Sequence, residues 1–318
     1  MCGAFFMRKI TMNKTITAIT FEEGCNKYLE RCVQRNLRAH TIQHYRNCYV
    51  QYFKFFDPQM PLSEFSESTL NEYILHIQSQ TSNSITLKTY LLSLSTTLKF
   101  LMREGYMEEF PLPKVKSDKK PIDTYTDDEL KILLKKPNLK ECTFLEYQCW
   151  VMTNMFFSTG VRRHSIINIR ISDLDLKNRI LTLAVTKNRK TLLVPLSQTM
   201  VNILNEYLQY RQHDSEADYL FCNSFGNKHS DDSINKAMYK YNIGRGVTTT
   251  GLHRFRHTFA KQFILNGGNV VVLSKLLGHS TLDITQNYIN LLTSDAQAAV
   301  DEINLLDKFA GQTKIKMR

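Results

Sequence analysis

Cysteine is sparse and unpatterned: the 318-residue chain has seven, an odd number, with no Cys-x-x-Cys pair. That spacing excludes a disulfide framework and a zinc ribbon, and makes a reducing cytoplasm the simplest home. No apolar run approaches the roughly 18 residues needed to cross a bilayer, so a soluble protein without membrane partners is expected. The opening MCGAFFMRKITMNK has only a tiny apolar run, with its basic residues after it rather than before, which does not fit a signal peptide. Met7 and Met12 are alternative starts, and residues 1–17 are expected to be loosely ordered. There is no internal repeat and no low-complexity segment. Apolar residues are not scarce, at 42% with 11% aromatic, so bulk disorder is excluded.

Acidic residues are outnumbered, 30 against 41 Lys+Arg, for a net charge of +11. The excess is shared almost evenly between residues 1–120 and the remainder. A polyanionic partner touched by both parts is the simplest reading. The length is generous for one core and suggests two domains.

Four amphipathic stretches fill residues 18–108. Phe21, Cys25, Tyr28, Leu29 and Cys32 make one stripe, and Tyr45, Cys48, Tyr49, Tyr52, Phe53 and Phe56 a second. Leu70, Tyr73, Ile74 and Ile77 make a third, behind a Ser66 or Ser68 cap. Leu87, Leu91, Leu94, Leu98 and Leu101 make the fourth. The expectation is a small helical bundle with an aromatic core. Arg35, Arg38, Arg46, Lys54, Lys88 and Lys99 lie off the stripes, where they suit either phosphate contact or ordinary solvated surface.

Residues 109–123, EEFPLPKVKSDKKPID in context, carry prolines and a charge run without periodicity and read as a linker. Thr126 and Glu129 form a capping-box pattern opening a second domain, residues 124–310. TFLEYQCWVMTNMFF is a long apolar helix running into the turn STGVRRHSIINIR. A strand pair follows: Ile180–Val185, a TKNRK turn, and TLLVPL, with Pro195 implying an edge position. Gln198–Arg211 and Ser233–Tyr241 read as helices. Lys236, Lys240 and, beyond them, Arg245 are candidate cations for the polyanionic partner. The fold class expected is mainly α with a small β-meander (α+β), a helical bundle followed by a mixed helical domain. Ser294–Phe309 is a last amphipathic helix, with Ala296, Ala299, Val300, Ile303 and Leu306 on its apolar face.

The densest chemistry lies between Gly251 and Tyr288. His253 and Arg256, three apart, share a helix face. Gly278 suits a helix C-terminus, and Ser280 with Asp283 resembles a capping box for the next helix, which would carry Tyr288. A guanidinium matches phosphate oxygens, imidazoles handle protons near neutrality, and a tyrosine can serve as a covalent nucleophile. His253 and His257 at i, i+4 lack the glutamate of a His-Glu-x-x-His zinc helix, and no metal or cofactor is expected.

HRFRHTFA followed by LLGHSTLDITQNY resembles the C-terminal signature of the tyrosine recombinases, the phage integrase family: His-x-x-Arg, Gly-His, then a tyrosine nine residues after that histidine. The resemblance extends over about residues 18–310. It implies that residues 18–108 are a DNA-gripping core-binding domain. It also implies that Arg162 in Thr159-Gly160-Val161-Arg162 is the first catalytic arginine and Arg256 the second. Lys187, counted back from Val194-Pro195-Leu196, is then the general acid, with Lys190 as its rival in a turn that lacks the usual glycines. His253 and His279 position the phosphate, and Tyr288 is the nucleophile. His164 and Ser165 stand where Ser and Glu are usual, which removes a carboxylate that would buttress Arg162. The implied activity is site-specific cutting and rejoining of double-stranded DNA without ATP or metal. It would be carried out by a homotetramer on two duplexes that is a monomer when free, in the cytoplasm at the nucleoid. A type IB topoisomerase-like relaxing enzyme and a catalytically silent DNA-binding relative stay open as alternatives.

Overall fold

In the computed structural model, which describes residues 18–113, 122–183 and 191–279 together with Thr285, the first helix opens on a reciprocal capping box. Thr20 Oγ1 accepts from the Glu23 amide at 3.2 Å and Glu23 Oε2 from the Thr20 amide at 2.9 Å, starting α1 (Phe21–Gln34). Such a cap stabilises a helix by about 1 kcal/mol. The helices α2 (Ala39–Tyr52), α3 (Glu67–Gln80) and α4 (Ser84–Glu104) follow, α3 capped by Ser66. All five leucines of the expected α4 stripe are buried, facing Phe21, Tyr49, Tyr52, Phe56 and Tyr73 in one core. Buried phenols find acceptors: Tyr52 donates to Tyr90 O at 2.8 Å, and Tyr49 meets Thr97 Oγ1 at 3.0 Å. The second stripe departs from expectation. Helix α2 stops at Tyr52, and Phe56 enters the core from the turn beyond it. Residues 53–55 form a turn, and Pro58 keeps Asp57 from continuing a helix beyond it.

The chain divides into two compact units, the first ending at Lys120 and the second starting at Pro121. Of the expected linker, residues 109–113 and 122–123 are irregular, and 114–121 lie outside the described residues.

In the second unit, the Thr126–Glu129 box opens α5 (Asp127–Leu134) as the sequence suggested. Helix α6 (Phe144–Thr159) is apolar nearly all round and is therefore central, packed by α5, α8 (Gln198–Tyr210), α9 (Asp231–Gly244) and α10 (Leu252–Leu265). Its one deeply buried amide, Gln148, is fully used. It donates to Tyr207 Oη at 3.0 Å and Cys222 O at 3.1 Å, and accepts from His229 Nε2 at 2.7 Å. Between α6 and α8 lie α7 (Arg163–Ile166) and an antiparallel sheet of β1 (Leu174–Asp175), β2 (Ile180–Leu183) and β3 (Leu192–Pro195), in that order. Leu181 and Leu183 face the core, and Pro195 sits on the edge strand. Strand β1 was not expected; two residues carry no alternation to read. Helix α11 (Val270–Leu277) closes the described fold, its N-terminus capped by Asn269. The expected Ser280–Asp283 box and the helix at 294–309 lie outside the described residues. Among the described residues, no helix is long and apolar enough to cross a membrane.

Candidate active site

Two helix ends and one helix face meet to form the site. Helix α6 terminates at Gly160 and α11 at Gly278, both left-handed at φ 62° and 59°. Terminal carbonyls there lack intrahelical partners and carry partial negative charge, which suits a guanidinium. Arg256, on α10 and 6% exposed, reaches both ends: Nη1 donates to Gly160 O at 2.6 Å and Nη2 to Leu277 O at 2.7 Å. Arg162, the residue preceding α7, donates from Nη2 to Gly278 O at 3.2 Å. The sequence raised the loss of a carboxylate at Ser165; a helix-terminal carbonyl braces Arg162 instead. Arg163 turns elsewhere, its Nε 3.3 Å from Asp231 Oδ1.

His279 follows directly on the α11 terminus, its amide donating back to Ser274 O at 3.0 Å. Arg256 Nη2 lies 3.0 Å from His279 Nε2, and His279 Nδ1 lies 2.8 Å from Thr285 Oγ1. A guanidinium only donates, so Nε2 is the acceptor and the ring proton sits on Nδ1. Burial first, then the Arg256 and Arg162 charges, push the His279 pKa down to about 4. His253, at the solvent edge of α10, is also held below the ordinary imidazole value. Desolvation is the largest cause, followed by the charges of Arg163, Arg256 and Arg162. Both shifts favour the neutral ring.

Arg162, His253, Arg256 and His279 are thus brought together. Lys187, Lys190 and Tyr288 lie outside the described residues. Thr285, fully buried and bonded to His279, was missed. Its only sequence signal is a position between His279 and Tyr288. Among the described residues, no group of three or more His, Cys, Asp or Glu side chains is placed to hold a metal ion.

Of the surface cations, Arg35, Arg46, Lys54, Lys88 and Lys99 are exposed on the first unit, and Arg38 is half-buried at the start of α2. Lys236 and Lys240 are exposed on α9, where with Tyr239, Thr250 and Gly251 they border an open cleft of about 430 Å³ next to the start of α10. Arg245 does not join them. Its guanidinium donates to Ile132 O at 3.2 Å and Lys135 O at 2.6 Å, and packs over Tyr241 at 4.6 Å. It ties the end of α9 to the end of α5, an inward use that its position after the helix did not reveal.

Similarity to known proteins agrees with this geometry. The fold matches that of the Tn1549 transposon integrase in complex with transposon right end DNA. The TM-score is 0.71 at 17% identity, over 90% of this chain and 100% of that one. The tyrosine recombinase XerC of Thermodesulfovibrio yellowstonii is 28% identical over 273 residues, 81% of this chain and 88% of the relative. The tyrosine recombinase XerD of Oceanobacillus iheyensis is 25% identical over 271 residues, 81% of this chain and 90% of the relative. Its class is therefore that of the site-specific tyrosine recombinases. The chain belongs to the phage integrase family: that family's model matches residues 124–294, and the phage integrase SAM-like domain matches residues 20–119.

Proposed function

We propose that the protein cuts and rejoins double-stranded DNA at its recombination sites through a 3′-phosphotyrosyl intermediate, as a homotetramer spanning two duplexes. The observation carrying this reading is the convergence of Arg162 and Arg256 on the paired ends of α6 and α11, with His279 against Arg256 and His253 on the same helix. Two fixed guanidiniums suit the non-bridging oxygens of a scissile phosphate and the charge of its pentavalent transition state. The phenolic oxygen of Tyr288 bonds to phosphorus as the bond to the 5′-oxygen breaks. Neutral His253 takes the phenolic proton, and Lys187 protonates the leaving oxygen. His279 has both ring nitrogens occupied within the protein, so it serves by holding Arg256. A 5′-hydroxyl from the partner duplex reverses the chemistry, and the bond energy kept in the phosphotyrosine makes ATP unnecessary.

Tyr288→Phe tests the reading. The variant should bind its DNA site at wild-type affinity yet give no protein–DNA adduct on a nicked duplex in a denaturing gel. A persistent adduct would move the nucleophile elsewhere. Strand exchange between two sites, against relaxation of a supercoiled circle, separates a recombinase from a topoisomerase.

A further inference from the structure

We infer that Thr285 is a positioning residue for DNA cleavage: its hydroxyl holds His279 in the one tautomer and orientation that can brace Arg256. The inference rests on the reading of Arg256 as a phosphate-binding arginine. The geometry runs as a chain of contacts, Thr285 Oγ1 to His279 Nδ1 at 2.8 Å and His279 Nε2 to Arg256 Nη2 at 3.0 Å. Each link fixes the next. Arg256 can only donate, so Nε2 must accept, so Nδ1 must carry the proton, so Thr285 Oγ1 must accept it. Both ends of the chain are enclosed, with Thr285 at 0% and Arg256 at 6% exposure, so water is not at hand to replace the hydroxyl. Without an acceptor at 285, a half-buried Nδ1–H loses its partner. The ring then gains by moving its proton to Nε2 or by turning, and either change sets a donor against the Arg256 guanidinium. Arg256 Nη2 also donates to Leu277 O, so the disturbance reaches the helix end that the arginine shares with the site.

Thr285 also stands three positions before Tyr288 in the chain. A threonine places this acceptor beside a methyl group at a fully buried position. Valine has the same shape and no acceptor, whereas serine keeps the acceptor and loses the methyl.

The test uses the full chain as wild type, Thr285→Val and Thr285→Ser, with two readouts. The first is the tautomer of His279 in the DNA-free protein, read by long-range proton–nitrogen NMR of the imidazole. Wild type and Thr285→Ser should show the proton on Nδ1, and Thr285→Val should lose that signature. The second is the rate of covalent adduct formation on a nicked duplex at equal DNA occupancy. It should fall about tenfold to a hundredfold in Thr285→Val, as misplacing a positioning group does, and recover in Thr285→Ser. The inference is overturned if Thr285→Val keeps the Nδ1–H ring and cleaves normally, or if Thr285→Ser is as impaired as Thr285→Val, which would leave only packing. If Thr285→Val does not fold, the wild-type spectrum decides, since a proton on Nε2 there sinks the idea. A wild-type protein that forms no adduct would overturn the recombinase reading, while the tautomer arm still judges the Thr285 contact.

Discussion

Arg256 joins both helix ends of the candidate site through one side chain. Its fork spans Gly160 O and Leu277 O and braces against His279, three partners that a single ammonium cannot reach together. Arg256→Lys should therefore slow adduct formation by about a hundredfold or more, the scale seen when one donor to a transition-state oxyanion is lost. It should also cost about 1–3 kcal/mol in urea denaturation, because buried carbonyls are left unpaired. Acid behaviour follows from the histidines. His279, with its pKa moved from 6.5 to about 4, binds its proton more readily when unfolded. The unfolded state then gains protons first as pH falls, so the folded state loses stability from about pH 6.5 down to about 4 and no further below that. Replacing His279 with glutamine should make the fall in Tm between neutral pH and about pH 4.5 shallower than in wild type; an equally steep fall would assign the acid lability to other groups. The family resemblance singled out Arg162, His253, Arg256 and His279, which the fold brings to one place. The sequence left Thr285 and the carbonyl partners illegible, since a backbone oxygen has no letter of its own.

Helix ends decide more of this fold than helix middles. Gly160 stops α6 in a left-handed turn, at φ 62°, and a Cβ there would lie 2.4 Å from Phe259 Cδ1 and 2.7 Å from Leu277 Cδ2. The end of α6 is therefore pressed against α10 and α11, which is what lets Arg256 reach its carbonyl. Gly160→Ala adds a backbone cost of about 1 kcal/mol to overpacking of about 1–3 kcal/mol. A loss of roughly 2–4 kcal/mol is expected in denaturant titration, together with weakened cleavage. A change below about 1 kcal/mol would show that the two helices yield easily. Where caps and stripes are local, the sequence was a good guide: Thr126–Glu129, Ser66 and the α4 leucines sit as read. Where a neighbour intervenes it was not. Helix α2 stops at Tyr52 while Phe56 still reaches the core from the turn, and β1 is defined only by its pairing with β2.

At the scale of the whole molecule, the charge of +11 has to be sorted by what each cation touches. Lys236 and Lys240 stand exposed on α9, beside the cleft that runs to the start of α10. Arg35, Arg46, Lys54, Lys88 and Lys99 stand exposed on the first unit. Arg245 has the same formal charge but holds Ile132 O and Lys135 O. Composition counts all of these alike, and salt dependence does not. Each phosphate neutralised adds about −0.9 to the slope of log affinity against log salt. Lys236→Gln with Lys240→Gln should therefore flatten that slope by up to about 1.8 if both lysines meet phosphates, with Tm unchanged. The set Arg35→Gln, Arg46→Gln and Lys88→Gln should flatten it separately, because the first unit is expected to grip DNA in its own right. An unchanged slope in that set would remove these side chains from the DNA contact. Arg245→Gln should do the reverse, lowering Tm while leaving the slope in place. Were it to flatten the slope with Tm intact, its bonds to the end of α5 would have to open on DNA binding, and the inward assignment would hold for the free protein alone.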